Sequence, residues 1–216
     1  MGHRAALLAG AKRCLYEKGY ARTTARDIVA ASDTNLASIG YHFGSKEALL
    51  AAALIEATGE WGDALERLLA ADVADGGARA ADPLGRFEAT WTRVIESLAT
   101  HRPLWVASFE AVAQAERSPQ VREYLAEALE RARFGLAEML QGLAGPVDER
   151  AARTVGSFYQ ALLSGVLVQW LIDPSRAPSG HDLAEGLRRI LGSLQVSRVA
   201  RGEPAGHRRG AGDGER

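Results

Sequence analysis

Along almost the whole chain, apolar residues recur at the three-to-four-residue spacing of a helix, and no long segment alternates as a half-buried strand would. Alanine, which loses least on entering a helix, occurs 40 times in 216 positions. No repeat appears at solenoid periods. The expected fold is all-α with about nine helices, in a chain long enough to bury a core without covalent staples. The single cysteine, Cys14, can close no intrachain disulfide and supply no multi-cysteine metal site, and is read as a space-filling residue. The longest largely apolar stretch, Ala161–Ile172, has twelve residues, short of the ~20 that a membrane-spanning helix needs. Lys12 and Arg13 directly follow the mildly apolar Ala5–Ala11, with no secretory cleavage pattern. A cytoplasmic protein with no membrane partner is expected.

Breaks in the pattern divide the helices. Arg4–Lys18 is a first helix with Leu8, Ala11 and Leu15 on one face and Gly19 as its stop. Thr24-Ala25-Arg26-Asp27 has the form of a capping box opening a short helix that ends near Ser32. Asn35 is a good N-cap for Leu36–His42, and Ser45 for a long helix from Lys46 to about Ala71. The Gly76-Gly77 pair marks Asp72–Pro83 as a loop. Leu84, Phe87, Trp91, Val94, Ile95 and Leu98 then share one helix face. Further helices are expected over Leu104–Glu116, Gln120–Leu143, Glu149–Ile172 and His181–Val196, with Gly145-Pro146 as a break. From Ser197 the chain is rich in Gly and Arg with little to bury, so 197–216 is expected to be a disordered tail.

Thr24–Phe43 thus reads as helix, tight turn, helix. Ile28, Val29, Ala31, Leu36, Ile39 and Phe43 can pack the pair together, leaving Thr34, Asn35, Ser38, Gly40, Tyr41 and His42 outward. With Thr24 at the first helix start, these groups suit a major groove and its flanking phosphates. Asp33 stands where the turn calls for a left-handed residue. Lys46 adds a cation at a helix start, where backbone N–H groups already favour a phosphate. The net charge of −1 conceals the same division. Residues 1–46 carry +4, residues 47–197 carry −7 and the last 19 carry +2, and all three lysines lie in the first segment. A basic head on an acidic body points to a polyanion as partner.

Gly19-Tyr20-x-x-Thr23-Thr24-x-x-Asp27-Ile28-x-x-Ala31, followed by Ile39-x-Tyr41-His42-Phe43-x-Ser45-Lys46-Glu47-x-Leu49, resembles the DNA-binding domain of TetR-family transcriptional regulators over about residues 5–52. Two positions depart from the family pattern: Asp33 replaces the usual turn glycine, and Thr34 the small apolar residue after it. The resemblance implies a homodimer with one recognition helix, Asn35–His42, per subunit on a partly palindromic double-stranded operator. It places Tyr41 and His42 near the DNA backbone and Lys46 at a phosphate clamp. It divides the chain into a helix-turn-helix head, 1–46, and an effector-binding and dimerisation body, 47–196. The function it implies is a ligand-responsive regulator, a repressor by family habit, with no cofactor or metal and no enzymatic activity.

In such a body the middle helices enclose a small-molecule effector. Trp91, Trp105, Phe109, Glu110, Tyr124 and Phe158 are the candidate ligand contacts. The last two helices form the family's dimer interface, and here Phe158, Leu162, Gly165, Val166, Gln169, Leu187, Ile190 and Leu194 are the candidates. Ala151–Ile172 is apolar almost all round, as a helix with its own core on one side and a partner on the other would be. Two other readings compete. An all-helical metal enzyme needs paired Glu-x-x-His motifs, and none of the five histidines follows a glutamate at that spacing. A dimeric helical interaction module without DNA binding has only the altered turn at Asp33 in its favour.

Overall fold

The structure is a computed structural model that describes residues 2–74, 82–141 and 149–200. Those residues form nine α-helices: α1 (His3–Lys18), α2 (Ala25–Ser32), α3 (Leu36–Phe43), α4 (Lys46–Ala74), α5 (Pro83–Leu98), α6 (Arg102–Ala115), α7 (Pro119–Gln141), α8 (Glu149–Ile172) and α9 (Gly180–Ala200). A single 3-10 turn, Ala99–His101, joins α5 to α6. The all-α fold matches the expectation. The largest boundary shifts are three: α4 continues through Asp72–Ala74, α6 begins two residues early at Arg102, and α9 continues to Ala200, so residues 197–200 are helix and not tail. The Gly76-Gly77 loop, the Gly145-Pro146 break and the rest of the tail lie outside the described residues.

Helices α1, α2 and α3 pack with the start of α4 into the head. Leu7, Leu15, Ile28, Leu49 and Leu50 are essentially inaccessible in its centre, with Ile39 and Phe43 beside them. Gly10 lets α2 lie directly on α1, since a Cβ there would meet the Ser32 Cβ at 2.8 Å. Tyr20 and Thr23 are buried, and their polar atoms are answered by backbone. The Tyr20 hydroxyl donates to the Glu47 carbonyl (3.3 Å), and Thr23 Oγ1 donates to that of Gly19 (2.6 Å). Burial pushes the Tyr20 phenol up to about 12.

Helix α4 leaves the head and enters the body. Its Trp61 meets Trp105 of α6 edge-to-face (centroids 4.7 Å, 84°) and donates to Ser97 Oγ of α5 (3.2 Å). Two glycines set the remaining crossings. A Cβ on Gly156 of α8 would fall 1.8 Å from the Arg133 carbonyl oxygen of α7, and one on Gly180 would fall 2.6 Å from the Glu88 carbonyl of α5. Arg102 ties α6 to α8, donating to the Leu171 carbonyl (3.2 Å) and lying 5.7 Å from the Trp170 ring centre.

Taken whole, α8 is long and apolar enough to cross a membrane, which the twelve-residue count missed. Its Gly156, Tyr159, Val166, Leu167 and Trp170 are buried within the protein, while most of the remaining apolar window is only half-buried or exposed.

Candidate DNA interface and effector cavity

The helix-turn-helix is built by its caps. Thr24 Oγ1 accepts from Asp27 N (3.2 Å) while the Asp27 carboxylate accepts from Thr24 N (2.9 Å), completing the capping box. Lys18 reaches the same carboxylate, and with the Thr24 hydrogen bonds it holds the Asp27 carboxyl well below the usual range. Asp33 ends α2 in the left-handed region (φ 51°, ψ 48°), the one non-glycine with positive φ among the described residues. Its N–H donates to the Val29 carbonyl, as a glycine there would. Asn35 Oδ1 then accepts from Ser38 N (3.0 Å) to open α3.

That turn fixes what α3 presents. Ile39 and Phe43, one turn apart, face the core, and Tyr41 is 85% exposed. Thr24, Asn35 and Gly40 are exposed, and a Cβ on Gly40 would meet nothing. Ser38 is half-buried, donates to Asn35 Oδ1 (3.2 Å) and meets the His3 ring (3.4 Å). His42 is half-buried, edge-on to Tyr41 at 4.8 Å. Thr34 turns partly inward, its hydroxyl 2.7 Å from that of Ser32. Leu36, expected to pack, is 53% exposed. It occupies the first helical position, ahead of the single turn that Ile39 and Phe43 give to the core. An exposed leucine beside Ala37 and Gly40 adds an apolar patch to the outward face.

The head's lysines are more occupied than their charge alone implies. Lys12 bridges Glu56 (2.7 Å) and Glu60 of α4, Lys18 holds Asp27, and Lys46 Nζ donates to the Thr23 carbonyl (3.1 Å) beside Glu47. Lys46 therefore sits between α4 and the start of α2, partly screened from solvent.

In the body, α5, α8 and α9, with the end of α7 and Leu69 of α4, flank a half-open cavity of about 1000 Å³. Phe87, Trp91, Phe158 and Tyr159 supply its aromatic wall, and Leu84, Met139, Val155 and Leu187 much of the aliphatic remainder. Of the six ligand candidates, Trp91 and Phe158 line this space. Trp105 is packed under Trp61, while Phe109 and Tyr124 line no part of it. Glu110 lies at the head–body junction, its Oε2 accepting from Ala21 N (2.9 Å). Near it, Gln120 of α7 meets Ser45 Oγ (3.4 Å) and the Phe43 carbonyl (3.5 Å). Phe87 and Tyr159 line the cavity although they are not among the expected contacts; their signal is the i, i+4 pair Phe87/Trp91 facing the adjacent Phe158-Tyr159 pair across two helices.

Both final helices carry apolar residues that no neighbour covers. On α8 these are Phe158 (52% exposed), Val168 and Ile172, in register with exposed Ala161 and Gly165; on α9 they are Ile190, Leu191 and Leu194. Gln169 is exposed, Leu162 half-buried, and Leu187 half-buried against the cavity. Val166 is 1% exposed in this chain's own core and is unavailable to a partner. The expected α8 stripe was out of phase at that position, because a helix apolar all round carries little phase information.

Residues 7–53 match the family model described as bacterial regulatory proteins, tetR family, and residues 82–193 match the tetracyclin repressor-like C-terminal domain. No curated protein matches the chain. Among solved structures, the chain is similar to the multidrug binding protein EbrR complexed with proflavin. That likeness is 26% identity at a TM-score of 0.58, over 87% of this chain and 99% of that one. The same protein complexed with imidazole gives 25% identity at 0.58, over 88% and 94%. A transcriptional regulator from Rhodococcus sp. Rha1 shares the fold at 20% identity and TM-score 0.54, over 88% and 96%.

Proposed function

The chain belongs to the TetR family of bacterial regulatory proteins, and from that premise we propose that it is a homodimeric repressor that releases a palindromic operator when a small aromatic molecule enters its body. Its place is then the cytoplasm, where the DNA is. The observation that carries this reading is the outward face of α3, offered by a rigidly capped turn with Tyr41 at 85% exposure. Asn35, Ser38, Gly40, Tyr41 and His42 face the groove, Leu36 joins them as an apolar contact, and Thr24 and Lys46 lie towards the phosphates. The division into a reading head, 1–46, and a responding body, 47–196, follows the same assignment.

Dimerisation supplies the second head. The uncovered stripe from Phe158 to Ile172, with Ile190, Leu191 and Leu194, is the surface through which two copies pack as a four-helix interface. The cavity between α5, α8 and α9 receives the effector, and the multidrug-binding relative supports a flat aromatic ligand. Response then passes along α5 into α6, whose Glu110 holds Ala21, and through α7, whose Gln120 meets Ser45. An effector that favours a different placement of these contacts changes the spacing of the two heads.

Retardation of duplexes from the region upstream of the chain's own gene tests the DNA reading. Binding that weakens steeply with added salt is expected, and failure to retard any such duplex, or an affinity flat in salt, refutes it. Ligand binding is measured separately with proflavin on the protein alone, because flat cationic dyes also stack between base pairs.

A further inference from the structure

The first turn of α1 reaches both ends of α3. His3 Nδ1 lies 3.4 Å from Ser38 Oγ, and the Arg4 guanidinium sits 5.2 Å from the Phe43 ring centre. Both residues are exposed, and both precede the segment, 7–53, over which the family model matches. Counting protons fixes the direction of the contact to Ser38. Asn35 Oδ1 accepts from Ser38 N (3.0 Å) and lies 3.2 Å from Ser38 Oγ. An amide oxygen has no proton to give, so the serine hydroxyl is the donor to Asn35. A hydroxyl has a single proton, so Ser38 Oγ can only accept from the ring, and His3 Nδ1 carries the hydrogen. The chain of bonds therefore runs one way, from His3 Nδ1–H to Ser38 Oγ and from Ser38 O–H to Asn35 Oδ1. Ser38 is left with a lone pair and no proton to offer a third partner.

Resting on the reading of α3 as the recognition helix, we propose that His3 is a positioning residue for base recognition. By donating to Ser38 Oγ it holds that hydroxyl as an acceptor, and an acceptor selects the amino group of adenine or cytosine over the carbonyl of thymine or guanine. In the major groove every base pair offers an amino group from one base and a carbonyl oxygen from the other. The selection therefore decides which way round one base pair of each half-site stands. A hydroxyl that accepts one hydrogen bond donates the next more strongly, so His3 also tightens the bond from Ser38 to Asn35. With His3 gone, only the 3.2 Å contact to Asn35 holds the side chain. The hydroxyl then turns more readily and can donate to a carbonyl as well as accept from an amino group.

Selection from random duplexes with the full chain tests this. At the base pair whose preference is lost in Ser38→Ala, the unaltered protein should favour an amino-bearing base on one strand by about tenfold, the low end of the cost of one mismatched pair. His3→Ala should lose most of that preference and leave those at other positions intact. His3→Asn, whose amide can donate near the place of Nδ1, should restore much of it. In a Ser38→Ala background, His3→Ala should change base preference no further, which a residue serving only the fold would not predict. A carbonyl-bearing base at that pair overturns the proposal, as does a Ser38→Ala variant that alters no preference. A preference that survives His3→Ala, or an effect of His3→Ala that persists without Ser38, overturns it too. Should His3→Ala lower Tm, the base favoured by the unaltered protein and the behaviour of His3→Asn decide. If the unaltered protein retards no duplex, the reading of α3 falls and takes this proposal with it; salt-sensitive retardation without the amino preference removes the proposal alone.

Discussion

Gly156 lies where α8 crosses α7, and its replacement by alanine is the sharpest test of how the body is packed. The added Cβ would fall 1.8 Å from the Arg133 carbonyl oxygen, 2.5 Å from its carbon and 2.9 Å from its Cα. These are backbone atoms, so no rotamer change relieves the clash and the helices must separate by more than an ångström. Separation also loosens the Arg133–Gln160 hydrogen bond (3.1 Å) and the Arg153–Glu130 ion pair (2.6 Å) that join the same helices. Overpacking costs typically about 1–3 kcal/mol, and an unyielding backbone neighbour places this case near 3. At ~2–4 °C per kcal/mol for a chain of this size, Tm should fall by about 6–12 °C. Gly135→Ala on α7 is the matched control: its Cβ meets nothing, and removing a helix-interior glycine should stabilise by ~0.5–1 kcal/mol. Thermal unfolding followed by circular dichroism, at one fixed protein concentration, reads both. Equal shifts, or a Gly156→Ala variant as stable as the parent, would refute the close crossing.

The remaining predictions concern the head and its attachment. Because Lys18, then Thr24, hold the folded Asp27 carboxyl below its unfolded value, its stabilising contribution is present above the ordinary carboxylate range and lost as pH falls through and below about 4. Asp27→Asn should therefore lower Tm at neutral pH and flatten its decline on acidification, and an acid slope equal to the parent's would count against this. Lys46→Ala should weaken binding to all duplexes by a similar factor, whereas Ser38→Ala and Leu36→Ala should change the preferred sequence in a selection from random duplexes. Glu110→Ala removes the acceptor for Ala21 N, so it should alter operator affinity while leaving proflavin binding unchanged, and Glu110→Gln should restore much of the loss. A variant that moves both affinities together would show that Glu110 serves only the fold.

Local chemistry was the most legible part of the sequence. Thr24 and Asp27, Asn35 and Ser45 are caps whose side chains act within three residues, so spacing alone reveals them, and the structure forms each one. The left-handed Asp33 was legible for the same reason. The motif residues Tyr20 and Thr23 are buried and hydrogen-bonded to backbone, so the pattern that marks the family largely describes how the head is built. Less could be read where several helices meet. Glu110 beside Phe109 looked like a pocket group, and only the placement of α6 against the loop after α1 makes it a junction. Leu36 is apolar and so expected inward, but at the helix start it stays 53% exposed, ahead of the turn that Ile39 and Phe43 give to the core. The aromatic wall required knowing that α5 faces α8, a relation between segments some seventy residues apart.

The exposed Leu36 and Tyr41 also bear on how operator binding responds to temperature. Phosphate contacts gain from counterion release, which is sensitive to salt and largely indifferent to sequence. Drawing a leucine and a tyrosine ring out of water adds a negative heat-capacity change. That term belongs only to complexes in which α3 seats fully in the groove. Loose, non-specific association should follow a nearly straight van't Hoff line, while the seated complex should show a curved one. The curvature would therefore distinguish a head that reads the groove from one that merely rests on the phosphates.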